Sequence, residues 1–273
     1  NDAEITELIN NREIFLYLMV NPDGRHNVTR ENANGVDINR DWGYMWDGWG
    51  GSSSAYSQPE SKALRSCMYN NQFVIHTTYH SGTEYISCPW SYRSDQCPDY
   101  QDILHLASIY CDVSGYPNLE YGQGNTGMYA INGSTKDSNY GIMGSVSWSM
   151  EISNDKQPPA SQIMYYYNNN KPSMLAMIEY AGYGIQGIVT DANSGEAVSA
   201  IIFVDNKFQV YTDPVVGDYH KYLLPGNYEI KVMANGYETA HVEGIEINDE
   251  SVTEVNVSLN PLEEASYYAY KIA

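Results

Sequence analysis

Arg30 and Arg40 flank a short segment in which Asn39 stands next to the second arginine. A guanidinium presents a planar fork of donors that matches a carboxylate, so two arginines and an amide converging on one point would grip one. Taken singly, either arginine is equally a surface ion-pair residue in so acidic a chain. Farther on, His76 and His80 lie in Phe73-Val74-Ile75-His76-Thr77-Thr78-Tyr79-His80. On a helix, an i,i+4 pair of imidazoles can share one metal ion. This stretch is β-branched and aromatic, hence a strand, in which four residues span roughly 13 Å. Only one of the two histidines can then serve as a ligand. Tyr129 precedes Glu151, a carboxylate whose type suits a general base and which, in isolation, would read as a strand-end residue facing solvent.

These residues need a scaffold, and two textures supply it. Over residues 1–182, strand and helix patterns alternate. Glu4–Ile9 reads as a short amphipathic helix, and Ile14–Val20 as a buried strand stopped by the turn Asn21-Pro22-Asp23-Gly24. A helix starts at Gln58-Pro59-Glu60, a strand covers Phe73–Tyr79, a helix covers Ile103–Cys111, a strand covers Val146–Ile152, and a helix covers Ile163–Tyr180. That order implies an α/β domain, a central sheet covered by helices. Over 183–260 the pattern changes to short alternating runs, 185–190, 200–204, 208–212, 228–232, 241–247 and 252–259, separated by turn residues. These imply an all-β sandwich. Residues 261–273 form a tail that docking alone would order.

The chain has 273 residues, with 14 Lys+Arg against 34 Asp+Glu and a formal charge of -20. Phosphates would be repelled, so nucleic acid and anionic membranes are excluded as partners. With 42% hydrophobic and 18% charged residues the composition is globular, and no run of 18 apolar residues spans a bilayer. Asn1 reads as the start of a processed or truncated product. Cys88 and Cys97 bracket a short loop and are the expected disulfide, which leaves Cys67 with Cys111; four reduced thiols are the alternative. Few lysines and many Tyr, Asn and Ser point to a secreted, extracellular or periplasmic setting. Sequons begin at Asn27, Asn132 and Asn256.

The ordered set Asn21-Pro22-Asp23-Gly24, then Arg30-x-Asn32-Ala33-Asn34-Gly35-Val36-Asp37-Ile38-Asn39-Arg40-Asp41-Trp42, then His80, Tyr129 and Glu151 resembles the zinc metallocarboxypeptidases of the carboxypeptidase A type. The resemblance covers about residues 1–181. Gly187–Val198, Pro225-Gly226-Asn227-Tyr228 and Gly236-Tyr237 are similar to a transthyretin-like, carboxypeptidase regulatory-type sandwich.

The resemblance implies one zinc ion, with His80 as its strand-borne ligand and His76 as a core histidine. It implies Glu151 as general base, Arg30 as the group that stabilises the oxyanion, Asn39 and Arg40 as the grip on the terminal carboxylate of a peptide substrate, and Tyr129 as the cap over the bound residue. Seven positions after Tyr129, Lys136 falls at the base of the pocket for the C-terminal side chain and favours Asp or Glu there. One departure stands out. The family's other two ligands come from an H-x-x-E motif upstream, and none of the six histidines here has Glu three residues later. The isolated chain is therefore expected to be inactive, with its own N-terminal fragment as a partner or with that part truncated. A module that binds peptide C-termini without turnover is the competing reading, and a tyrosine-rich adhesion protein a third.

Overall fold

The computed structural model describes residues 2–262. They divide into two compact units. One holds the residues up to Tyr69 together with Ile75–Ala181, and the other holds Asn70–Val74 together with the described residues from Gly182 onward.

The first unit begins with α1 (Ala3–Asn11), where Asp2 caps the helix by accepting from the Glu4 and Ile5 amides. α2 (Pro22–Asn27) carries Pro in its first turn and is capped by Asn21. A 3-10 turn, Ile38–Arg40, follows, and then α3 (Pro59–Asn71). β1 (Ile75–His80), β2 (Thr83–Cys88), α4 (Tyr100–Val113), β3 (Glu120–Gln123), α5 (Gly124–Gly127), α6 (Thr135–Ser138), β4 (Val146–Ser153) and α7 (Ile163–Tyr180) complete it. The sheet order is β1-β4-β2-β3. β1 runs parallel to β4, β2 antiparallel to β4, and β3 parallel to β2, so the sheet is mixed. β4 is bonded on both edges, which is why its first five residues are all buried. Trp42, Trp90, Trp148, Ile86, Leu106 and Met150 are fully enclosed.

The expected strand over Ile14–Val20 is not formed. The run is irregular and its side chains are exposed, from Val20 at 37% to Leu18 at 92%. A strand needs a neighbour for its amides and a face to bury. Among the described residues no strand runs beside this segment, and the sheet stops at β1. The expected disulfides are absent as well. Cys88 and Cys97 are separate buried thiols that donate to the Ile86 and Pro89 carbonyls at 3.9 and 3.7 Å, and Cys67 is not bridged to Cys111. Burial pushes the Cys88 thiol up to about 12, which keeps it protonated.

The second unit contains strands only among its described residues from Gly182 on: β5 (Gly184–Asp191), β6 (Ile201–Val204), β7 (Val210–Tyr211), β8 (Asp218–Lys221), β9 (Gly226–Met233), β10 (Ala240–Ile247), β11 (Val252–Glu254) and β12 (Val257–Leu259). One sheet has the order β10-β9-β6-β7, and in the other β5 pairs with β11, β12 and β8. Ile185, Val189, Ile202, Tyr219, Ile230 and Leu259 belong to one apolar cluster. The single run expected over 252–259 is split where the Val255 carbonyl presses against Gly187, at which a Cβ would lie 1.9 Å from that oxygen. Of the tail, all beyond Leu262 lies outside the described residues. No helix among the described residues is long and apolar enough to cross a membrane.

In the first unit, the buried carboxylate of Asp41 ties the loop after the 3-10 turn to the start of α3. It accepts from Ser57 N at 3.1 Å, Ser57 Oγ at 2.9 Å, Gln58 N at 3.0 Å and Ser61 Oγ at 2.5 Å. Asp41→Ala strands three donors at once, Ser61 Oγ keeping the Gln58 carbonyl at 3.0 Å, and is expected to cost about 3 kcal/mol of unfolding free energy, measured by urea denaturation.

Candidate functional site

β1 and β4 carry the centre of the site. Their parallel register places His80 opposite Glu151, and Tyr85 of β2 faces Glu151 from the other side. Strand alternation puts His76, Thr78 and His80 on one face, over Ser147, Ser149 and Glu151. His76 is engaged there: its Nδ1 accepts from Asn139 Nδ2 at 3.0 Å and meets Ser147 Oγ at 3.0 Å. His80 Nε2 meets Thr78 Oγ1 at 3.1 Å, and that hydroxyl donates to Ser149 Oγ at 3.1 Å. Having spent its proton on Ser149, Thr78 must accept from His80 Nε2–H, which leaves Nδ1 with a lone pair. Burial pushes both imidazoles down to about 4, with Arg30 and Lys136 adding to the effect at His80.

Three cations lie in the site, and two of them, Arg30 and Lys136, bear on Glu151. Arg30 Nε is 2.5 Å from Asp37 Oδ2, and Asp37 Oδ1 also accepts from Asn39 N at 3.0 Å. Burial opposes the charge on Arg30, while Asp37, Tyr129 and Glu151 favour it and prevail, so its pKa is raised. Arg40 is 3% exposed and its pKa is lowered, chiefly by burial. Its Nη1 donates to the Asn39 carbonyl at 2.8 Å, its Nε is buried without a partner, and the Trp49 ring lies 5.1 Å from Cζ. Tyr129, half-exposed, is near enough to bear on Arg40's charge. Lys136 is 2% exposed and donates to Ser87 Oγ at 2.6 Å. Among the described residues no carboxylate comes within ion-pair distance of Lys136 Nζ. It neither swings to solvent nor pairs with its neighbour Asp137, whose carboxylate accepts from the Ser91 amide at 2.8 Å instead. Burial lowers the Lys136 pKa, with Asp137, Cys88 and Glu151 opposing it. Glu151 is raised by burial, against the pull of Lys136 and Arg30.

A short helix links Asn39 and Lys136. Asn39 Oδ1 accepts from Thr135 N at 2.9 Å, and Thr135 opens α6, the turn that carries Lys136 inward. The structure therefore brings together all seven residues singled out in the sequence, Arg30, Asn39, Arg40, His80, Tyr129, Lys136 and Glu151. Sequence reasoning missed Asp37, Thr78, Ser87 and Thr135. Only Asp37 carried a signal, as the acid between two arginines; a serine in a strand has none.

The residue types and their order can be compared with known proteins. A family model described as zinc carboxypeptidase matches residues 1–173. The chain belongs to the zinc carboxypeptidase family. This carboxypeptidase-family chain is 26% identical over 301 residues to carboxypeptidase D of Mus musculus, covering 95% of the chain and 22% of that protein. It is 28% identical over 246 residues to carboxypeptidase SOL1 of Arabidopsis thaliana, covering 85% and 50%. The crystal structure of thrombin activatable fibrinolysis inhibitor superposes with TM-score 0.57 at 19% identity, covering 66% of this chain and 56% of that one, a likeness of fold. The chain thus spans between about a fifth and a half of the two curated relatives.

The family is zinc-dependent, yet among the described residues no three His, Cys, Asp or Glu side chains are grouped to hold a metal ion. His80 offers one imidazole, whereas a catalytic zinc takes three protein ligands. The described residues do not make up that site.

The two imidazoles, both part-buried, set an acid limit on stability. Each titrates at an ordinary 6.5 when unfolded and near 4 when folded, so between those values the unfolded chain binds more protons and stability falls as pH drops. Asp137, raised from 3.8 to about 6 by burial, works the other way and offsets part of the loss. Chemical denaturation should show lower stability at pH 5 than at pH 7, with a smaller drop in His76→Phe; equal stability at both pH values would contradict the burial of these imidazoles.

Proposed function

We propose that this chain provides the substrate-gripping and proton-transferring part of a carboxypeptidase that removes the C-terminal residue of peptides, with a preference for Asp or Glu. One observation carries the reading: the enclosed guanidinium of Arg40 has an unpartnered Nε and no carboxylate at ion-pair distance among the described residues. A buried cation left unpaired is costly, and a ligand's terminal carboxylate would supply the missing anion.

In this reading Arg40 and Asn39 fix the terminal carboxylate, and half-exposed Tyr129 closes over it. Arg30, held by Asp37 and still half-exposed, faces the scissile carbonyl and meets the negative charge that develops on its oxygen. Glu151, whose proton affinity is raised by burial, takes the proton of the attacking water and returns it to the leaving amine. Lys136 receives the substrate's side-chain carboxylate. Zinc as cofactor belongs to the same proposal. His80 would be its one ligand from this chain, and two more would come from an N-terminal segment of the complete protein, which would also cover Ile14–Val20 and the outer edge of β1. We read the two sheets of the second unit as the transthyretin-like sandwich expected at 183–260.

A second reading, binding of peptide C-termini without turnover, is favoured by one observation, that the described residues hold no metal group. The two separate on the complete enzyme and on this chain alone, using peptides that differ only in a last residue of Glu, Leu or Lys. The complete enzyme should turn over the Glu peptide fastest, and Lys136→Asp should shift the preference to Lys. The isolated chain should bind the peptides and not cleave them. Leu as the best substrate with no response to Lys136→Asp would refute the acidic preference, and a complete enzyme that binds without cleaving would establish the second reading.

A further inference from the structure

An exposed ring stands against the enclosed Arg40. Trp49 is 66% exposed, and Arg40 Cζ lies over its ring, 5.1 Å from the centroid. The loop that carries the ring is built onto the arginine. The Gly50 carbonyl accepts from Asp37 N at 3.0 Å, and a Cβ on Gly50 would collide with the Cβ of Arg40, so loop backbone presses directly on the arginine's stem. Asp47 sets the approach of the ring. Its Oδ1 accepts from Trp49 N at 3.0 Å, and its Oδ2 accepts from Asn132 Nδ2 at 2.8 Å, on the segment that carries Tyr129. Trp46 Nε1 donates to Ser52 Oγ at 2.9 Å and closes the loop. The ring is therefore placed by its neighbours rather than left to wander over the surface.

Arg40 needs such a neighbour. Its Nη1 is bonded to the Asn39 carbonyl and its Nε to nothing, and no carboxylate among the described residues reaches ion-pair distance. Two kinds of group can offset the cost of enclosing a cation. A carboxylate would neutralise it and occupy the in-plane N–H donors that a ligand's carboxylate requires. An aromatic face attracts the charge through its quadrupole and leaves those donors uncommitted. Asp47, the one acid in this loop, is spent on the Trp49 amide and Asn132, and the ring is what faces the guanidinium.

We propose that Trp49 is a positioning residue, whose ring holds the Arg40 guanidinium charged, in place and open at its donors for the terminal carboxylate of a peptide. This rests on the reading of Arg40 as the grip on that carboxylate. It adds the group that keeps the grip loaded while no ligand is bound. Because the ring acts through Arg40, its contribution accompanies a peptide's free terminal carboxylate and disappears when that carboxylate is an amide.

The test is equilibrium binding, by calorimetry, of an N-acetylated tripeptide ending in Glu, as the free acid and as its α-amide. Both are titrated into the 273-residue chain and into Trp49→Phe, Trp49→Leu and Arg40→Gln. The wild type should favour the acid over the amide by more than about tenfold. Trp49→Leu covers Arg40 without a π face, and should cut that ratio about three- to tenfold by weakening the acid alone, whereas Trp49→Phe should retain most of it. A side chain that merely packs would give Leu and Phe the same ratio, so an equal loss in both, or a loss in neither, refutes the role of the ring. Melting temperatures of the two ring variants should stay within about 2 °C of the wild type, and a ratio lost only together with folding also refutes it. If Arg40→Gln abolishes the discrimination and Trp49→Leu keeps it, the role of Trp49 falls while that of Arg40 stands. A wild type that does not distinguish acid from amide, or binds neither, refutes both.

Discussion

In a chain with a formal charge of -20, Arg40 and Lys136 are both held out of water with no carboxylate at ion-pair distance among the described residues. Asp37 bears on Arg40, and Asp137 and Glu151 bear on Lys136, yet none of them closes to ion-pair distance. Desolvating a cation without a counter-charge is among the more costly things a fold can do. That cost makes sense when the missing anions arrive with a ligand, and the rest of the site follows from the need to hold unsatisfied cations in place.

The acidic groups that do lie nearby are committed elsewhere. Asp37 is divided between Arg30 and the Asn39 amide, Asp137 takes the amides of Ser91 and Tyr92, and Asp41 anchors the start of α3. Each fixes backbone near a cation without neutralising Arg40 or Lys136. The Asn39 to Thr135 bond then ties the 3-10 turn to α6, so Arg40 and Lys136 are placed by elements that share a contact. Glu151 and His80 sit opposite each other on β4 and β1, at the ends of the two strands whose hydroxyls tie the imidazole down.

The sequence showed the residues whose types suit a ligand and concealed those that position them. Arg30, Asn39, Arg40, His80, Tyr129, Lys136 and Glu151 stand out by type, order and spacing, and the structure gathers them. Thr78 and Ser87 do not, because a small hydroxyl residue in or near a strand fits packing, turn or solvent equally well and only three-dimensional neighbours tell them apart. Pro59–Asn71, with Pro and Glu in its first turn, and Ile163–Tyr180, by its spacing, are legible from pattern. Ile14–Val20 was not: its composition reads as strand, but a strand is made by its neighbours, and the described residues offer it none. The cysteines mislead for a related reason, since a spacing that permits a bridge does not bring the sulfurs together.

The most direct test of the unpaired-cation account is a crystal structure of the chain with an N-acetylated peptide ending in Glu. The account predicts the terminal carboxylate on Arg40 and Asn39, with Arg40 Nε now bonded, and the side-chain carboxylate within about 3 Å of Lys136 Nζ. A peptide whose terminal carboxylate lies away from Arg40, with its glutamate side chain turned to solvent and Lys136 still bonded to Ser87 alone, would contradict it.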